Sequence, residues 1–426
     1  PRTCAFLRFR SLVRRMTSFS TQAAEATQRM RELFAATPLQ RNDHLSNVYG
    51  ADIWLKREDL SPVRSYKLRG AYNAIGKQMD KDVFVCASAG NHAQGVAFVC
   101  KHLRKKGVIF MPLTTPQQKI GKTRLFGGEW VEVRLMGDYF DDTLRASQAY
   151  CQQVGGHFLS PFDDQDVIEG QATVTHEMLE QLGCAPDILV LPVGGGGLSS
   201  SARRLLTERA PETEIFYVEP EGGKSLAAAV AAGEPTTITK VDTFVDGAAV
   251  ARIGKHTFAA LKGIEADHIL AIPEDRICTT ILEMLNVEGV VLEPAGALAL
   301  DALKDLKEVI KRKTVVCVSS GGNFDFERLP EVKERAQRYA GVKKYFILRL
   351  PQRPGALKDF LGLLGPDDDI SRFEYLKKSA RNFGTVLLGI ETSSPENFAK
   401  LSDRLEAVGM SIRDITGDKA MVDLII

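Results

Sequence analysis

The sequence has little that would suit the chain to a membrane, a nucleic acid or a repeat architecture. No apolar run approaches the roughly 20 residues that span a bilayer. Lys and Arg number 55 and Asp and Glu 54, so no net field attracts nucleic acid or anionic lipid. Internal repeats and low-complexity tracts are absent from the sequence. We therefore predict no membrane or nucleic-acid partner.

The cysteines are few, odd in number and scattered. None belongs to a C-x-x-C pair, which argues against a disulfide framework and against a zinc site. A reducing compartment fits best, so we expect a cytoplasmic protein. The seven cysteines are Cys4, Cys86, Cys100, Cys151, Cys184, Cys278 and Cys317.

The N-terminal segment is basic and has no acidic residue before Glu25. Its composition resembles a mitochondrial transit peptide, which would make the location mitochondrial. A disordered extension over residues 1–22, or sequence ahead of a start at Met16, fits equally, and we favour the extension. The arginines that give this character are Arg2, Arg8, Arg10, Arg14 and Arg15.

Short apolar runs alternate with helical windows through the first 330 of the 426 residues, after a helix expected at Thr21–Phe34. This alternation predicts an α/β domain with a largely parallel sheet. Active sites in such sheets lie at the carboxyl ends of strands, here the turns after Cys86, Val193 and Val318. The predicted strands are 53–55, 83–87, 108–111, 130–133, 188–193, 215–218 and 315–318.

The pattern changes after Pro330. Residues 331–342 read as a charged helical connector that ends at Gly341. Residues 343–426 then follow a β-α-β-β-α-β order, which predicts a ferredoxin-like α+β module of about 85 residues. The predicted elements are strands 345–350, 370–376, 386–390 and 412–415 and helices 356–364 and 396–408.

Three short stretches carry candidate chemistry. Lys67, in Ser65–Ala71, opens an apolar helix, and a buried lysine offers a nucleophilic amine. The turn Gly194–Gly197 lies between a strand and a helix, a setting in which backbone amides bind anions. Because it lacks the sequence Gly-Lys-Ser/Thr, we do not expect it to bind a nucleoside triphosphate. The alternative interpretation is a flexible turn that binds nothing. The segment Ser88–His92 has the same setting.

In that segment, the amides of Ser88, Ala89, Gly90, Asn91 and His92 could bind a carboxylate, and the Asn91 side chain a phenolic oxygen. Helix capping is the alternative for Asn91, and for His92 we expect a structural side chain. The Ser320 hydroxyl could face an uncharged ring nitrogen. A lysine, an anion cup and a loop of backbone donors are together what pyridoxal 5'-phosphate requires.

From about Ala23 onward the chain resembles the biosynthetic threonine dehydratases (threonine ammonia-lyases) of the fold-type II pyridoxal-phosphate enzymes, which share the tryptophan synthase β-like core of two subdomains. The resemblance implies a catalytic domain at 23–330, with a smaller subdomain at about 60–155, and a single ACT-like regulatory domain at 343–426. The matching motifs are 65–71, 87–95, 192–198, 245–250, 293–297 and 320–323, with 351–357 and 365–370 in the tail.

The resemblance also implies residue roles. Lys67 would form the Schiff base, Asn91 would contact the cofactor's 3-hydroxyl, and Ser320 would face its ring nitrogen. Gly194, Gly195, Gly196, Gly197 and Leu198 would bind the phosphate. The expected reaction is loss of water from L-threonine, giving 2-oxobutanoate and ammonia as the first step of isoleucine biosynthesis, with L-serine as a second substrate and the freed Lys67 amine as base.

Two other functions stay open. Serine racemase shares most motifs, but its pattern places a serine where this chain has Ala89, and it lacks the C-terminal module. A non-catalytic amino-acid sensor is the candidate from another class.

Glu219 lies where some relatives bind a cation. A lone glutamate is more often solvated, so we make no prediction about a bound metal. Feedback inhibition by isoleucine and a homotetramer are expected by analogy, with a ligand-free oligomerisation module as the alternative.

Overall fold

The computed structural model describes residues 18–376 and 382–425. Its largest sheet has six strands in the order β1-β2-β10-β7-β8-β9, and all neighbours are parallel except β1 and β2. The strands are β1 (Leu39–Arg41), β2 (Asp52–Arg57), β7 (Ile188–Pro192), β8 (Glu214–Pro220), β9 (Ile269–Ile272) and β10 (Thr314–Ser319). They bury a core of aliphatic side chains, as strands covered on both faces do.

A second sheet of four parallel strands has the order β5-β4-β3-β6. Its strands are β3 (Val83–Ala87), β4 (Lys106–Met111), β5 (Val131–Leu135) and β6 (His157–Phe158). Helices cover both of its faces, and each face packs in an apolar cluster of its own. The two sheets form the two-part α/β core expected of the fold class.

Helices connect and cover these sheets. A typical one runs from Gln165 to Leu182: the Asp164 carboxylate accepts the amide hydrogens of Asp166 and Val167, and Gly183 ends it at φ 75°. The helices are α1 (Phe19–Met30), α2 (Asp43–Tyr49), α3 (Lys67–Gly76), α4 (Asn91–Leu103), α5 (Gln117–Gly127), α6 (Phe140–Gln153), α7 (Gln165–Leu182), α8 (Gly197–Arg209), α9 (Ser225–Ala232), α10 (Lys255–Leu261), α11 (Glu274–Glu288), α12 (Pro294–Asp301) and α13 (Leu329–Tyr339).

The C-terminal module has an antiparallel sheet in the order β12-β13-β11-β14. Helices α14 and α15 pack on one face, and α16 contributes to a cluster with Tyr345 and Ile415. The elements are β11 (Lys343–Pro351), α14 (Ala356–Leu361), β12 (Asp369–Leu376), β13 (Phe383–Glu391), α15 (Glu396–Ala407), β14 (Ile412–Asp414) and α16 (Lys419–Ile425). The predicted order of β-α-β-β-α-β is present, and α16 follows it.

The structure differs from the sequence prediction at the edges of elements. Helix α1 begins at Phe19, inside the predicted extension, because the Ser18 hydroxyl accepts the Thr21 amide hydrogen and Phe19 is buried. It ends at Met30 instead of Phe34. The rest of the predicted basic extension, residues 1–17, lies outside the described residues. None of the described helices combines the length and apolar character needed to cross a membrane.

Strand β2 and helices α3 and α7 are joined by buried charges. Arg69, two residues after Lys67, donates to both carboxylate oxygens of Glu58 and of Glu177, at 2.8 Å in all four cases. Lys56 also donates to Glu177, at 2.9 Å. Arg69, Lys56 and Glu58 are fully buried. The network therefore fixes the start of α3 relative to the large sheet.

We expect Arg69→Leu to lower the free energy of unfolding by about 3–5 kcal/mol, because buried Glu58 loses its ion-pair partner and buried Glu177 loses one of its partners. The matched control is Arg145→Met. The Arg145 side chain is 75% exposed and pairs with Asp142 on α6, so its loss should cost less than about 1 kcal/mol. Urea denaturation of both variants measures the difference. Equal effects would contradict the assigned role of the Arg69 network.

Candidate active site

The carboxyl ends of the central strands converge on the start of α3. The segment before Lys67 lies against the end of β10: Ser65 pairs with Gly321, and the Tyr66 amide donates to the Ser320 carbonyl at 3.2 Å. The turn after β7 and the loop after β3 contribute the other candidate residues. The structure thus brings together the segments that the sequence predicted, as the strand-end rule requires.

The Lys67 side chain is half-buried. Its Nζ donates to the Pro161 carbonyl at 2.8 Å and lies 5.4 Å and 5.9 Å from the ring centroids of Tyr66 and Phe162. Burial lowers its pKa to about 8, while the Glu293 carboxylate acts in the opposite direction. A minor but much enlarged fraction of this amine is therefore unprotonated near neutral pH, and nucleophilic and base chemistry both require that form.

The turn Gly194–Gly197 has no room for side chains. A Cβ on Gly195 would lie 2.2 Å from the Phe162 ring, and one on Gly194 would lie 3.1 Å from Ala248 Cα. Gly196 adopts φ 88°, which favours glycine. Within residues 18–376 and 382–425, no acceptor pairs with the backbone amides from Gly194 to Leu198. These amides, at the N-terminus of α8, form a cradle for an anion.

A chain of side-chain hydrogen bonds crosses the site. Asn323 Nδ2 donates to Asn91 Oδ1 at 2.8 Å, and Asn91 Nδ2 donates to Glu293 Oε1 at 2.6 Å. Burial, followed by the charge of Asp246, raises the pKa of Glu293 to about 7. A Cβ on Gly321 would lie 2.1 Å from Glu293 Oε1, so glycine is required there. Asn91 is thereby held, and its second amide hydrogen has no acceptor among the residues that the structure describes.

Sequence reasoning gave Glu293 and Phe162 no role. Glu293 was named only as part of a matching motif. A glutamate inside the apolar stretch 290–300 nevertheless indicates a buried charge, and a buried charge commonly has a functional role. Phe162 carried no signal, because its contact with the glycine turn depends on the fold.

The loop after β3 differs in detail from the prediction of successive free amides. The Ser88 amide donates to the Phe110 carbonyl at 3.0 Å, because it extends the β3–β4 ladder, and the Gly90 amide donates to the Ser88 hydroxyl at 3.2 Å. Only the amides of Ala89, Asn91 and His92 are unpaired within the described part of the chain. They still form a donor set for a carboxylate at the start of α4.

The His92 side chain is structural. Its Nε2 lies 3.1 Å from the Leu159 carbonyl, and burial lowers its pKa to about 3, so the ring is neutral and Nε2 is the donor. The Ser320 hydroxyl donates to the Ala295 carbonyl at 3.2 Å. It must turn away from this carbonyl before it can donate to a ring nitrogen.

The expectation that Glu219 is solvated is wrong. Its side chain is fully buried and accepts the amide hydrogens of Leu226 at 2.6 Å and Ala227 at 3.0 Å, at the start of α9. Burial raises its pKa to about 7. Among the described residues, the cluster of possible metal ligands consists of Glu265, Asp267 and His268 and does not include Glu219.

Comparison with known proteins gives this geometry a family. A profile described as "Pyridoxal-phosphate dependent enzyme" matches residues 30–321. The chain belongs to this family. A second profile, "C-terminal regulatory domain of Threonine dehydratase", matches residues 334–425. As a member of the pyridoxal-phosphate-dependent enzymes the chain uses that cofactor, and its C-terminal module is a regulatory domain.

Relatives place the chain more closely. The biosynthetic L-threonine dehydratase IlvA of Bacillus subtilis is 46% identical over 94% of this chain and 96% of its own. That of Lactococcus lactis is 43% identical over 95% and 99%. A solved structure of processed threonine deaminase isoform 2 from Solanum lycopersicum has a TM-score of 0.69 at 35% identity, over 74% and 93%. The chain is a member of the biosynthetic threonine dehydratases, as its motifs predict.

Serine racemase from Dictyostelium discoideum also has a similar fold, with a TM-score of 0.66 at 26% identity over 72% of this chain and 99% of its own.

The residues present fit the family's cofactor. The cradle of unpaired amides at Gly194–Leu198 suits its phosphate, the second amide hydrogen of Asn91 suits its phenolic oxygen, and Lys67 supplies the amine that its aldehyde needs.

The raised pKa of Glu293 predicts a dependence of stability on pH. The native pKa of about 7 lies above the ordinary 4.5, so the native state binds more protons than the unfolded state between these values. This contribution to stability is complete at low pH and is lost as the pH rises through about 7. We expect the melting temperature of cofactor-free protein to fall as the pH rises over that range. In Glu293→Gln the melting temperature should fall less. Parallel curves of melting temperature against pH for the two proteins would contradict the raised pKa of Glu293.

Proposed function

We propose that the chain removes water from L-threonine to give 2-oxobutanoate and ammonia, the first step of isoleucine biosynthesis, and that it also accepts L-serine. The observation that carries the proposal is the Lys67 amine, with its pKa lowered to about 8, beside the same Phe162 ring that packs against the glycine cradle. Pyridoxal phosphate, when bound, withdraws electrons from the substrate Cα and so acidifies its proton.

Each residue then has one task. The amides from Gly194 to Leu198 hold the phosphate, and the Asn91 side chain, kept in place by Glu293 and Asn323, holds the phenolic oxygen. The unpaired amides of the loop after β3 bind the substrate carboxylate. The Lys67 amine takes the Cα proton, since its lowered pKa leaves part of it neutral near pH 7.

The β-hydroxyl leaves as water once it gains a proton, and the released enamine takes up water and loses ammonia. Ser320 bears on the outcome. The Ser320 hydroxyl, in place of a carboxylate, would leave the ring nitrogen of the bound cofactor uncharged, and this would favour prompt elimination over racemisation. Its hydrogen bond to the Ala295 carbonyl must break for this contact.

The presence of a regulatory domain supports an amino acid as the allosteric effector, and we propose that this amino acid is isoleucine. We also propose a homotetramer in the cytoplasm, with mitochondria as the alternative location. The six described cysteines, all of which are free thiols, support a reducing compartment.

The decisive assay follows initial rates of 2-oxo acid formation from L-threonine and L-serine, with and without isoleucine, and with valine as the matched effector control. We expect turnover of both substrates and inhibition by isoleucine at concentrations where valine has little effect. Chiral analysis of the L-serine reaction tests the racemase alternative. D-serine in excess of keto acid would overturn the proposal, and no turnover would favour the sensor.

A further inference from the structure

The loop of residues 242–249, here called the Asp246 loop, connects the active site to the helix that leads into the regulatory domain. On one side it meets α13. Arg328, the residue directly before α13, and Arg335 within α13 lie over the Phe244 ring, with their guanidinium carbons 4.6 Å and 4.2 Å from its centroid. Arg328 Nη1 also donates to the Phe244 carbonyl at 3.2 Å. Phe244 itself is buried, so α13 holds this loop by one anchored side chain.

The other side of the loop lines the active site. Asp246 forms an ion pair with Lys119 of α5, which belongs to the small-sheet part of the core. The next two residues pack against residues of the site: a Cβ on Gly247 would lie 2.8 Å from that of Ala295, and Ala248 lies behind Gly194. The charge of Asp246 also acts on Glu293. A shift of this loop therefore affects both the backing of the glycine turn and the ion pair with Lys119.

Helix α13 is tied to the regulatory sheet. Lys343, the first residue of β11, pairs with Glu334 of α13 at 2.5 Å and with Glu391 at the end of β13 at 2.9 Å. Gln337 donates to the same Glu391 carboxylate at 3.0 Å. Two side chains of the helix, Glu334 and Gln337, therefore contact two strands of the regulatory sheet, and a movement of that sheet carries the helix with it.

The same helix is packed into the catalytic domain. Val332 and Ala336 belong to its hydrophobic core, and Arg335 pairs with Asp275 at 2.8 Å. The segment expected from the sequence as a charged connector is thus part of the large domain's core. Coupling between distant sites is carried by such contiguous packed groups.

We infer that the clamp of Arg328 and Arg335 on Phe244 is the contact through which the regulatory domain acts on the active site. The two arginines are positioning residues: they set the Asp246 loop, and the loop sets the Lys119 bridge and the backing of the glycine turn. The inference rests on the proposed function in taking isoleucine as effector.

The test is the double variant Arg328→Gln, Arg335→Gln in the full-length holoenzyme. The matched control is Lys333→Gln, which removes a positive charge from an exposed position of the same helix. We expect the isoleucine concentration for half inhibition to rise at least tenfold in the double variant and to stay unchanged in the control. Calorimetry should show that isoleucine still binds, and inhibition is expressed relative to the uninhibited rate of each variant.

Each other outcome overturns the inference. Unchanged inhibition shows that the signal travels elsewhere, and lost isoleucine binding places the arginines in the effector site. If wild-type protein turns over L-threonine but ignores isoleucine, the regulation fails while the proposed reaction stands. If the double variant does not fold, Phe244→Leu, which keeps an apolar side chain and removes the ring, is judged by the same criterion.

Discussion

Lys67→Ala is expected to lower kcat for L-threonine by at least about 10³-fold, because one amine serves both as the attachment point of the cofactor and as the base for the Cα proton. The side chain forms no ion pair within the described residues, and its Nζ donates to the Pro161 carbonyl. The loss should therefore be chemical, with little change in the unfolding curve.

The matched control is Lys122→Ala. Lys122 is a second lysine whose charge acts on Glu293, and it has no assigned task in the reaction. Its removal should change kcat only slightly. Initial rates of both purified variants, with excess cofactor, measure the difference. A Lys67→Ala enzyme that keeps more than about a tenth of the wild-type rate would remove this residue from the mechanism.

Gly195→Ala is expected to weaken cofactor binding by at least tenfold, which corresponds to about 1.4 kcal/mol. The added Cβ would lie 2.2 Å from the Phe162 ring, so either the ring or the turn must move. Overpacking of this kind commonly costs about 1–3 kcal/mol. Because Phe162 lies beside Lys67 as well, the displacement also disturbs the amine. Fluorescence titration of cofactor-free protein with pyridoxal phosphate measures the dissociation constant.

Gly121→Ala is the matched control. A Cβ on Gly121, inside helix α5, meets no atom within 4 Å, so alanine should leave cofactor affinity unchanged. In a helix interior it should raise stability by up to about 1 kcal/mol. Equal dissociation constants for the Gly195 and Gly121 variants would show that the glycine turn does not hold the phosphate.

Local pattern was enough to predict the fold class and the strands that carry the site, because parallel strands covered on both faces leave continuous apolar runs. The prediction of a ferredoxin-like tail is confirmed in its strand and helix order. Patterns were insufficient where a short element has no periodicity, as in the three-residue β1, the two-residue β6 and the added helix α16.

The site was predictable only in part. Lys67 and the glycine turn stand in recognisable local settings, whereas Glu293 acts on Asn91 across 202 residues of chain. The paired amide of Ser88 and the buried carboxylate of Glu219 depend on neighbouring strands and helices that a sequence pattern does not place together. The roles of the placed residues toward cofactor and substrate remain predictions for the variants above.

The most direct test of the account asks which amine carries the cofactor. Borohydride reduction of the holoenzyme fixes pyridoxal phosphate to the lysine that holds it, and peptide mass mapping then identifies that lysine. The account predicts a single labelled site at Lys67. Label at another lysine such as Lys119 or Lys122, or no label in protein that turns over L-threonine, would contradict it.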